Sequence, residues 1–393
     1  MQRLSQSPTA PSFVQDPYPF YDRVRAAGAF ADWVDYALPV SARATVVGAA
    51  LRDRRLGREA PPGYAPPMAA HLAPFLAVEA NSMLELEGPR HARLRGLVLR
   101  AFTSRRIRAL APEIEALTHR LIDTLPAAPF DLLAHFARPL PVIIIARLLG
   151  VPETRADDLL AWSNAMVGMY QAGRTPGMEA RAVAATEAFV AFLRGYVAQK
   201  RRQPGDDLIT HLIAAETDGE RLSTDELIAT CILLLNAGHE ATVHTLGNGV
   251  KTLLEQGFGA EVLAPGRVES TVEEILRFDP ALHLFTRWVY EDVEISGQGF
   301  RRGDKIGLLL AGANRDPDLW SEPARFDPMR AVQTNLTFGA GAHFCIGAPL
   351  ARLELQIALP ILFQRVPGLR LQAQPRYGDV YHFHGLDALM LAR

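Results

Sequence analysis

Apolar residues recur at intervals of three and four positions along most of the chain from Pro89 to Gly257. This period matches the turn of an α-helix, so each such stretch is expected to bury one helix face. Glycine and proline interrupt the pattern between stretches, as is typical of connecting turns. The pattern predicts helices at residues 91–102, 111–125, 139–150, 156–170 and 179–202.

β-Structure is predicted near the two ends of the chain. The stretch TRWVYEDVEISGQGFRRGDKIGLLL, residues 286–310, predicts a short hairpin system, and residues 40–51 are interpreted as a further source of strands. Residues 60–82 are rich in proline and alanine and are predicted to form an irregular loop. No internal repeat or linker divides the sequence, which therefore predicts one domain, residues 1–393, mainly α with a small β portion.

The longest helix is predicted between Ser223 and Gly257. Ser223 and Glu226 have the spacing of a capping box, and Gly257 is a typical stop signal. The about 33 residues between these signals would span roughly 50 Å. The centre of this helix, CILLLNAGHEAT, is apolar on most sides, as expected for a helix that crosses a core. Glu240 is therefore a candidate functional residue, because a carboxylate there is costly unless it is paired or hydrated.

Composition and charge argue against nucleic-acid binding, membrane insertion and secretion. The 43 acidic and 41 basic residues leave a formal charge of −2, so neither nucleic acid nor an anionic membrane is an expected partner. The longest apolar runs, residues 139–150 and 226–238, are too short and too interrupted to span a bilayer. The N-terminal stretch MQRLSQSPTAPSF lacks the apolar core of a signal peptide, and we therefore expect a cytoplasmic protein.

The two cysteines, Cys231 and Cys345, exclude a four-thiolate zinc or iron–sulfur site within one chain. Cys345 lies among Gly339, Gly341 and Gly347, which allow close approach of the backbone, and a helix-like run follows it. Amide groups at a helix N-terminus favour a thiolate. A lone cysteine is ordinarily a small buried apolar residue, but a thiolate in this setting suits a nucleophile or a single axial ligand to iron.

The stretch FGAGAHFCIG resembles the haem-binding signature F-x-x-G-x-[HR]-x-C-x-G of the cytochrome P450 superfamily. The fixed positions of this signature are occupied by Phe338, Gly341, His343, Cys345 and Gly347. The resemblance implies the cytochrome P450 fold, with haem b (iron protoporphyrin IX) between the long central helix and the cysteine loop. It also implies that Cys345 is the metal ligand, because an anionic sulfur gives iron the electron density that favours O–O cleavage.

The resemblance extends to the surroundings of the cofactor. Phe338 is expected to shield the sulfur from water, and Gly339 and Gly347 to let the flat macrocycle lie against the chain. Haem carries two propionates, whose burial requires cations. The segment HARLR resembles the bacterial pattern that holds a propionate. The candidate propionate ligands are His91, Arg95, Arg287 and His343.

Two further motifs imply structural roles. The segment VEEILRF resembles the E-x-x-R motif of the family, with Glu274 and Arg277 at its fixed positions. In ANRDPDLWSEPARFDPMR, which resembles the meander segment, Arg325 occupies the position expected to complete a Glu–Arg–Arg cluster. The ordinary interpretation of Glu274 and Arg277 is a surface ion pair, whereas the resemblance implies that they hold a helix to the meander.

The central helix departs from the family pattern A-G-x-[DE]-T. Ala237, Gly238 and Glu240 match it, but Ala241 replaces the usual threonine. In the family, the acid and the threonine hydroxyl serve a water network that delivers protons to dioxygen. Thr242 is turned about 100° around the helix axis, so we do not expect it to substitute directly. Proton delivery then requires ordered water, Thr242 or a polar substrate group, with Glu240 as a relay if burial raises its pKa.

The expected substrate pocket is apolar and aromatic, and several separate segments supply it. The resemblance indicates residues 64–84, 166–170, 234–241, 282–285 and 383–384. The candidate lining residues are Met83, Leu84, Met166, Tyr170, Leu235, Leu284, Phe285 and Phe383. Simple core packing is the alternative interpretation for each of them.

The resemblance implies a haem monooxygenase that uses O2 to hydroxylate or otherwise oxidise a small to medium, largely apolar molecule. No flavin or iron–sulfur motif is visible, so ferredoxin and ferredoxin reductase are expected as separate partners of a monomer. A basic docking face for an acidic ferredoxin is expected from Arg93, Arg100, Arg105, Arg106 and Arg352. A peroxygenase that uses hydrogen peroxide and a haem-based ligand-binding protein remain open alternatives. A zinc or cysteine hydrolase is disfavoured because no partner motif accompanies the cysteine.

Overall fold

The computed structural model describes residues 1–65, 67–171, 173–217, 219–379, 381 and 383–393, and helices predominate in it. Its α-helices are α1 (Pro11–Gln15), α2 (Tyr18–Ala26), α3 (Ala44–Ala50), α4 (Ala73–Glu79), α5 (Gly88–Ala101), α6 (Ser104–Ala109), α7 (Ala111–Asp123), α8 (Pro139–Leu149), α9 (Ala156–Val167), α10 (Pro176–Arg202), α11 (Leu208–Ala214), α12 (Thr224–Glu255), α13 (Val268–Phe278), α14 (Leu310–Ala313) and α15 (Ala348–Arg365). Short 3-10 helices lie at Val34–Tyr36, Ala70–Leu72, Glu153–Arg155, Gly168–Tyr170, Ala260–Leu263 and Gly341–His343, and a π-helix lies at Leu133–Ala137.

The strands are β1 (Gln2–Leu4), β2 (Ala31–Trp33), β3 (Leu38–Ser41), β4 (Leu56–Gly57), β5 (Phe130–Asp131), β6 (Glu216–Thr217), β7 (Glu220–Arg221), β8 (Leu284–Val289), β9 (Val293–Ile295), β10 (Gln298–Phe300), β11 (Lys305–Leu309), β12 (Arg370–Leu371), β13 (Arg376–Tyr377), β14 (Leu386–Ala388) and β15 (Met390–Ala392). The largest sheet has the order β1-β2-β3-β11-β8-β4. Its β8 and β11 are antiparallel, as are β9 and β10 beside it. The predicted hairpin system is therefore confirmed.

The helices predicted from the apolar period are present as α5, α7, α8, α9 and α10. Helix α12 begins as predicted, because the Ser223 hydroxyl accepts from the Glu226 amide at 3.1 Å and the Glu226 carboxylate accepts from the Ser223 amide at 2.8 Å. Gly257 follows the helix with φ +73°, a left-handed conformation that glycine adopts without strain. Helices α8, α9, α10, α13 and α15 pack around α12, so this helix crosses the core.

Two local predictions are only partly confirmed. Strand β3 includes Val40 and ends at Ser41, and residues 44–50 then form α3, which buries Ala44, Val47 and Gly48 at helical spacing. Residues 60–82 are not wholly irregular, since α4 occupies Ala73–Glu79 and buries Phe75 and Val78, three residues apart. Pro66, within this predicted loop, lies outside the described residues.

A buried ion cluster joins α13 to the segment that follows α14. Arg277 donates two hydrogen bonds of 2.7 Å to the Glu274 carboxylate, and both residues are buried rather than forming a surface pair. Arg277 also donates to the backbone carbonyls of Asn314, Pro323 and Arg325. These bonds satisfy the buried guanidinium and tie one helix to three points of an otherwise irregular chain.

The third member of this cluster is Arg330, not Arg325. Only the backbone carbonyl of Arg325 reaches the cluster, while its side chain is 63% exposed and pairs with Glu322. The Arg330 side chain, 15% exposed, donates to Glu274 at 3.3 Å and also reaches the carbonyls of Ser321, Glu322 and Arg325. The prediction for Arg325 is wrong because sequence spacing could not decide which arginine of an irregular segment turns inward.

We expect Arg330→Ala to lower the free energy of unfolding by about 1–3 kcal/mol, because a buried carboxylate loses a charged donor. Arg325→Ala should change it by less than about 0.5 kcal/mol, as is usual for an exposed side chain. Thermal unfolding of the two variants, followed by circular dichroism, checks this difference. Equal destabilisation by the two substitutions would contradict the assignment of Arg330.

Candidate haem-thiolate site

Cys345 lies between the 3-10 helix Gly341–His343 and the first turn of α15. The Cys345 amide donates to the Phe338 carbonyl at 3.0 Å, which closes the loop. Gly339 and Gly341 have φ of +66° and +72°, in the left-handed region where glycine is preferred. A side chain at position 341 would collide with the Leu51 carbonyl, so this glycine permits close packing against the protein's own backbone.

The Cys345 side chain is accessible although protein surrounds it. Burial raises the pKa of its thiol, while the amides of Gly347 and Ala348 and the nearby Arg95 and Arg352 oppose this shift. The accessibility of the sulfur and the burial of the thiol are consistent if the sulfur borders an internal space rather than the outer surface. The thiol is then neutral by itself, and a bound metal ion would displace its proton.

The four predicted propionate ligands lie in three elements near this loop. His91 and Arg95 are on α5, Arg287 is on β8, and His343 precedes Cys345. The His91 and His343 rings are 4.3 Å apart, and Arg95 donates to the Phe344 carbonyl at 2.5 Å. Burial and the neighbouring His343 lower the pKa of His91 to about 4. His343 lies 2.7 Å from the Glu87 carboxylate, a contact the sequence did not indicate.

Arg287 is a buried cation without a matching anion. It is 2% exposed, and its guanidinium donates to the carbonyl of the preceding Thr286 at 2.8 Å. No carboxylate of a described residue is within ion-pairing distance of it. Burial lowers the pKa of Arg287 to about 10. Because an unpaired buried charge is costly, this arginine fits an anionic group such as a haem propionate.

One face of α12 is open in the middle of the core. Most residues of this helix are buried, yet Ala237 is exposed, and Leu233, Glu240, Ala241 and His244 are half-buried. Spacings of three and four residues place these side chains on one face. An accessible face on a helix enclosed by other helices indicates an internal space. This face, the accessible sulfur and the unpaired Arg287 together fit a haem.

Glu240 on this open face lies between two histidines. Its carboxylate is 3.1 Å from His239 Nε2 and 3.2 Å from His244 Nε2. Burial alone would raise the pKa of Glu240, but the hydrogen bonds and charges of both histidines lower it well below its ordinary value. The condition under which Glu240 was considered a relay, a pKa raised by burial, is therefore not met. The spacing of Glu240 and His244, four residues apart on a helix, is the signal from which this contact was predictable.

The neighbouring hydroxyl does not take the place of the missing threonine. Thr242 is buried, and its hydroxyl donates to the Gly238 carbonyl at 3.3 Å. The helix backbone therefore uses its proton. Ala241 instead packs among apolar side chains together with Val167 and Phe383.

The predicted pocket residues divide into two groups. Tyr170 and Phe383 belong to the same small cluster as Ala241, although they are far apart in sequence. The others pack into larger clusters. Met83, Met166 and Leu235 are buried in the main core, Leu84 is half-buried, Leu284 packs against the N-terminal cluster, and Phe285 lies beside Gly339.

Sequence reasoning missed one acidic group near this pocket. The Tyr170 hydroxyl donates to both Glu79 carboxylate oxygens at 3.2 Å. Burial and the nearby Glu85 raise the pKa of Glu79 to about 7. Glu79 lies in the segment predicted to be a loop, where no motif marked it.

Comparison with known proteins agrees with this geometry. Residues 268–372 match the family model of cytochrome P450. Cytochrome P450 107B1 of Saccharopolyspora erythraea is 40% identical over 83% of this chain and 77% of its own length. The monooxygenase PikC of Streptomyces venezuelae is 36% identical, with 92% and 87% covered.

The fold is shared with solved structures. P450BioI, in complex with an acyl carrier protein ligated to hexadec-9Z-enoic acid, superposes with a TM-score of 0.90 at 32% identity and covers 97% of this chain and 99% of its own. Among the described helices, none is both long and apolar enough to cross a membrane. The chain belongs to the cytochrome P450 family, has the cytochrome P450 fold and is a cytochrome P450 monooxygenase.

Proposed function

We propose that this protein binds haem b through Cys345 and oxidises a small to medium, largely apolar organic molecule. The observation that carries the proposal is the accessible Cys345 sulfur inside the protein, and the unpaired buried Arg287 supports it. When bound, the haem supplies the activation of O2. The chain supplies the thiolate, with the amides of Gly347 and Ala348 oriented towards the sulfur.

The cations near the loop would orient the cofactor through its carboxylates. Arg287 and Arg95 carry permanent charge, and both can donate to a propionate. His91 and His343, whose rings are 4.3 Å apart, offer further donors. Phe338 is half-buried beneath the Arg352 guanidinium, 4.6 Å from its ring centroid, and so would limit water near the sulfur. Ala237, without a bulky side chain, leaves room for the macrocycle on the opposite side.

Protons are proposed to move through the His239–Glu240–His244 group. His239 Nδ1 donates to the Leu235 carbonyl at 2.9 Å, while its Nε2 faces the Glu240 carboxylate. Both ring nitrogens of His239 therefore face oxygen acceptors. A carboxylate with a lowered pKa is a poor acid, so Glu240 would pass on protons held by the histidines rather than act as their source.

Ala241 limits which group can act as the final proton donor during oxygen activation. Its methyl group offers no hydroxyl, and the Thr242 hydroxyl donates to the backbone. A water molecule or a polar group of the substrate beside Ala241 is the proposed final donor. The coupling of oxidation to electron supply should then depend on which substrate is bound.

Electrons are proposed to come from a ferredoxin and its reductase in the cytoplasm, with the protein acting as a monomer. Of the predicted docking residues, Arg93 pairs with Glu226, Arg106 with Asp206 and Arg352 with Glu273. Arg100 and Arg105 are exposed, so they are the residues best suited to meet an acidic partner.

A peroxygenase is the second candidate, favoured by Ala241 and by the engaged Thr242 hydroxyl. Retention of Glu240 argues for the partner-driven reaction, because dedicated peroxide users tend to lack this acid. Turnover with hydrogen peroxide as fast as turnover with ferredoxin would reverse the preference. Stable binding of compounds without turnover by either route would instead favour a ligand-binding protein.

The iron ligand is tested by adding carbon monoxide to the reduced protein. The wild-type absorption spectrum should contain the band typical of thiolate ligation. Cys345→Ser should abolish this band, because the sulfur ligand is lost. Cys231→Ser is the matched control, since Cys231 is buried in the main core. A thiolate-type spectrum in the Cys345 variant, or its absence in the wild type, would refute the proposal.

The role of the His239–Glu240–His244 group is tested with His244→Gln. The glutamine amide can still donate a hydrogen bond to Glu240, but it cannot accept and release a proton. We expect product formed per reduced cofactor to fall about tenfold or more, with a matching rise in hydrogen peroxide. His211→Gln is the control, since His211 contacts the exposed Asp206 instead. Unchanged coupling in the His244 variant would show that protons follow another route.

A complementary test restores a threonine hydroxyl at position 241, as in the family pattern. Ala241→Thr should increase product per reduced cofactor with poor substrates. Such substrates do not bring a proton donor to the position beside residue 241, and the threonine hydroxyl would supply one. Good substrates should show little gain. The measurement compares product and peroxide for both substrate groups, and no change in either would count against substrate-dependent delivery.

A further inference from the structure

A second cluster of ligand-type side chains lies apart from the cysteine loop. Asp279 follows α13, His283 precedes β8, and His384 lies just before β14. All three are buried, and one donor atom from each lies within 4.8 Å of the other two. Two imidazoles and a carboxylate, supplied by residues 279–283 and by His384, form a donor set used for zinc and related divalent ions.

The distances are near those that a tetrahedral ion requires. Asp279 Oδ1 is 3.5 Å from His384 Nε2 and 4.0 Å from His283 Nε2. Metal–ligand bonds of about 2.0–2.1 Å put neighbouring donors about 3.3 Å apart in a tetrahedron. Small side-chain rotations would therefore bring the three atoms to bonding distance.

His283 provides the independent sign of a ligand. Its Nδ1 lies 2.9 Å from the Tyr21 hydroxyl, which in turn contacts the Tyr381 hydroxyl at 2.7 Å. Its Nε2 has no hydrogen-bond partner among the described residues although the side chain is fully buried. An unpaired buried nitrogen is costly. If Nδ1 donates to Tyr21, Nε2 presents a lone pair to the cluster, the form that binds a metal ion.

Both imidazoles lie in surroundings that lower their pKa. Burial and His384 lower the pKa of His283 well below its ordinary value, against weaker opposing effects from Asp279 and the Pro280 carbonyl. Burial, together with Lys251, Arg315 and His244, lowers the pKa of His384 to about 3. The proposal of a metal site rests on the geometry of the three side chains and not on these shifts.

Two tyrosine hydroxyls orient the Asp279 carboxylate, as neighbouring hydrogen bonds commonly orient carboxylates that bind metal ions. The Tyr18 hydroxyl donates to its Oδ1 at 2.8 Å, and the Tyr377 hydroxyl donates to its Oδ2. Each carboxylate oxygen retains a second lone pair. A hydrogen-bonded polar core is the alternative interpretation, but it leaves His283 Nε2 without a partner.

The donor types restrict the kind of ion. The cluster offers two imidazoles and only one carboxylate, whereas magnesium and calcium need several oxygen ligands. Zinc binds more strongly to imidazole nitrogen. A small cavity includes His384 in its lining, together with Pro8, Phe13, Val14, Gly378 and Tyr381.

We propose that Asp279, His283 and His384 form a zinc-binding site separate from the haem-thiolate centre. The site would join the end of α13 to the C-terminal segment. That segment also carries Phe383, which packs beside Ala241, and the His384 amide donates to the Ala281 carbonyl at 2.8 Å. Zinc would therefore stabilise one wall of the proposed substrate pocket.

The experiment uses the haem-loaded protein without a histidine tag, after treatment with a chelator. Titration with Zn2+ in a calorimeter should give one equivalent bound per chain and raise the melting temperature. Co2+ at the same site should give visible absorption bands of tetrahedral nitrogen and oxygen ligation. Zinc binding outside this stoichiometry, or Co2+ without such bands, would overturn the proposal.

Variants locate the ion. His283→Gln and His384→Gln should each weaken Zn2+ binding at least about tenfold, while His71→Gln, on an exposed histidine, should leave it unchanged. If a variant does not fold, the Co2+ spectrum of the wild type still decides. Equal Zn2+ affinity in all three variants would refute the site. The carbon monoxide spectrum reports separately on Cys345, so failure of the zinc site is distinguishable from failure of the haem proposal.

Discussion

A sulfur atom that is accessible to a ligand yet enclosed by protein is the constraint on which this structure depends. Left-handed Gly339 and Gly341, and the bond from the Cys345 amide to the Phe338 carbonyl, hold the loop that presents it. The loop leads into α15, where Arg352 covers the Phe338 ring and pairs with Glu273 of α13. The position of one thiol is thereby coupled to the same helix that carries the buried Glu274–Arg277 pair.

Buried charges in this protein fall into two physical classes. Glu274, Arg277 and Arg330 satisfy one another and nearby carbonyls, so they stabilise the fold without any ligand. Arg287 has no such partner within ion-pairing distance among the described residues, which is why it is proposed to meet an anion from outside the chain. Motif matching alone does not make this distinction between arginines.

The central helix carries an acidic side chain next to a position without a hydroxyl. Ala241 has only a methyl group, and the Glu240 carboxylate lies between two histidines. Their hydrogen bonds lower the pKa of a carboxylate that burial alone would raise. The Glu240 carboxylate therefore favours its ionised form, so it can accept a proton but is a poor source of one.

The sequence by itself determined the long helices, the capping box of α12, the hairpin strands and the Cys345 loop, because these depend on local periodicity and on glycine conformations. It did not determine that α4 interrupts a proline-rich loop, that Arg330 rather than Arg325 turns towards Glu274, or that Glu79 meets Tyr170. Nor did it indicate that Asp279, His283 and His384 converge. Those outcomes were decided by tertiary structure alone, because burial and long-range contacts select among side chains whose local sequence leaves them equivalent.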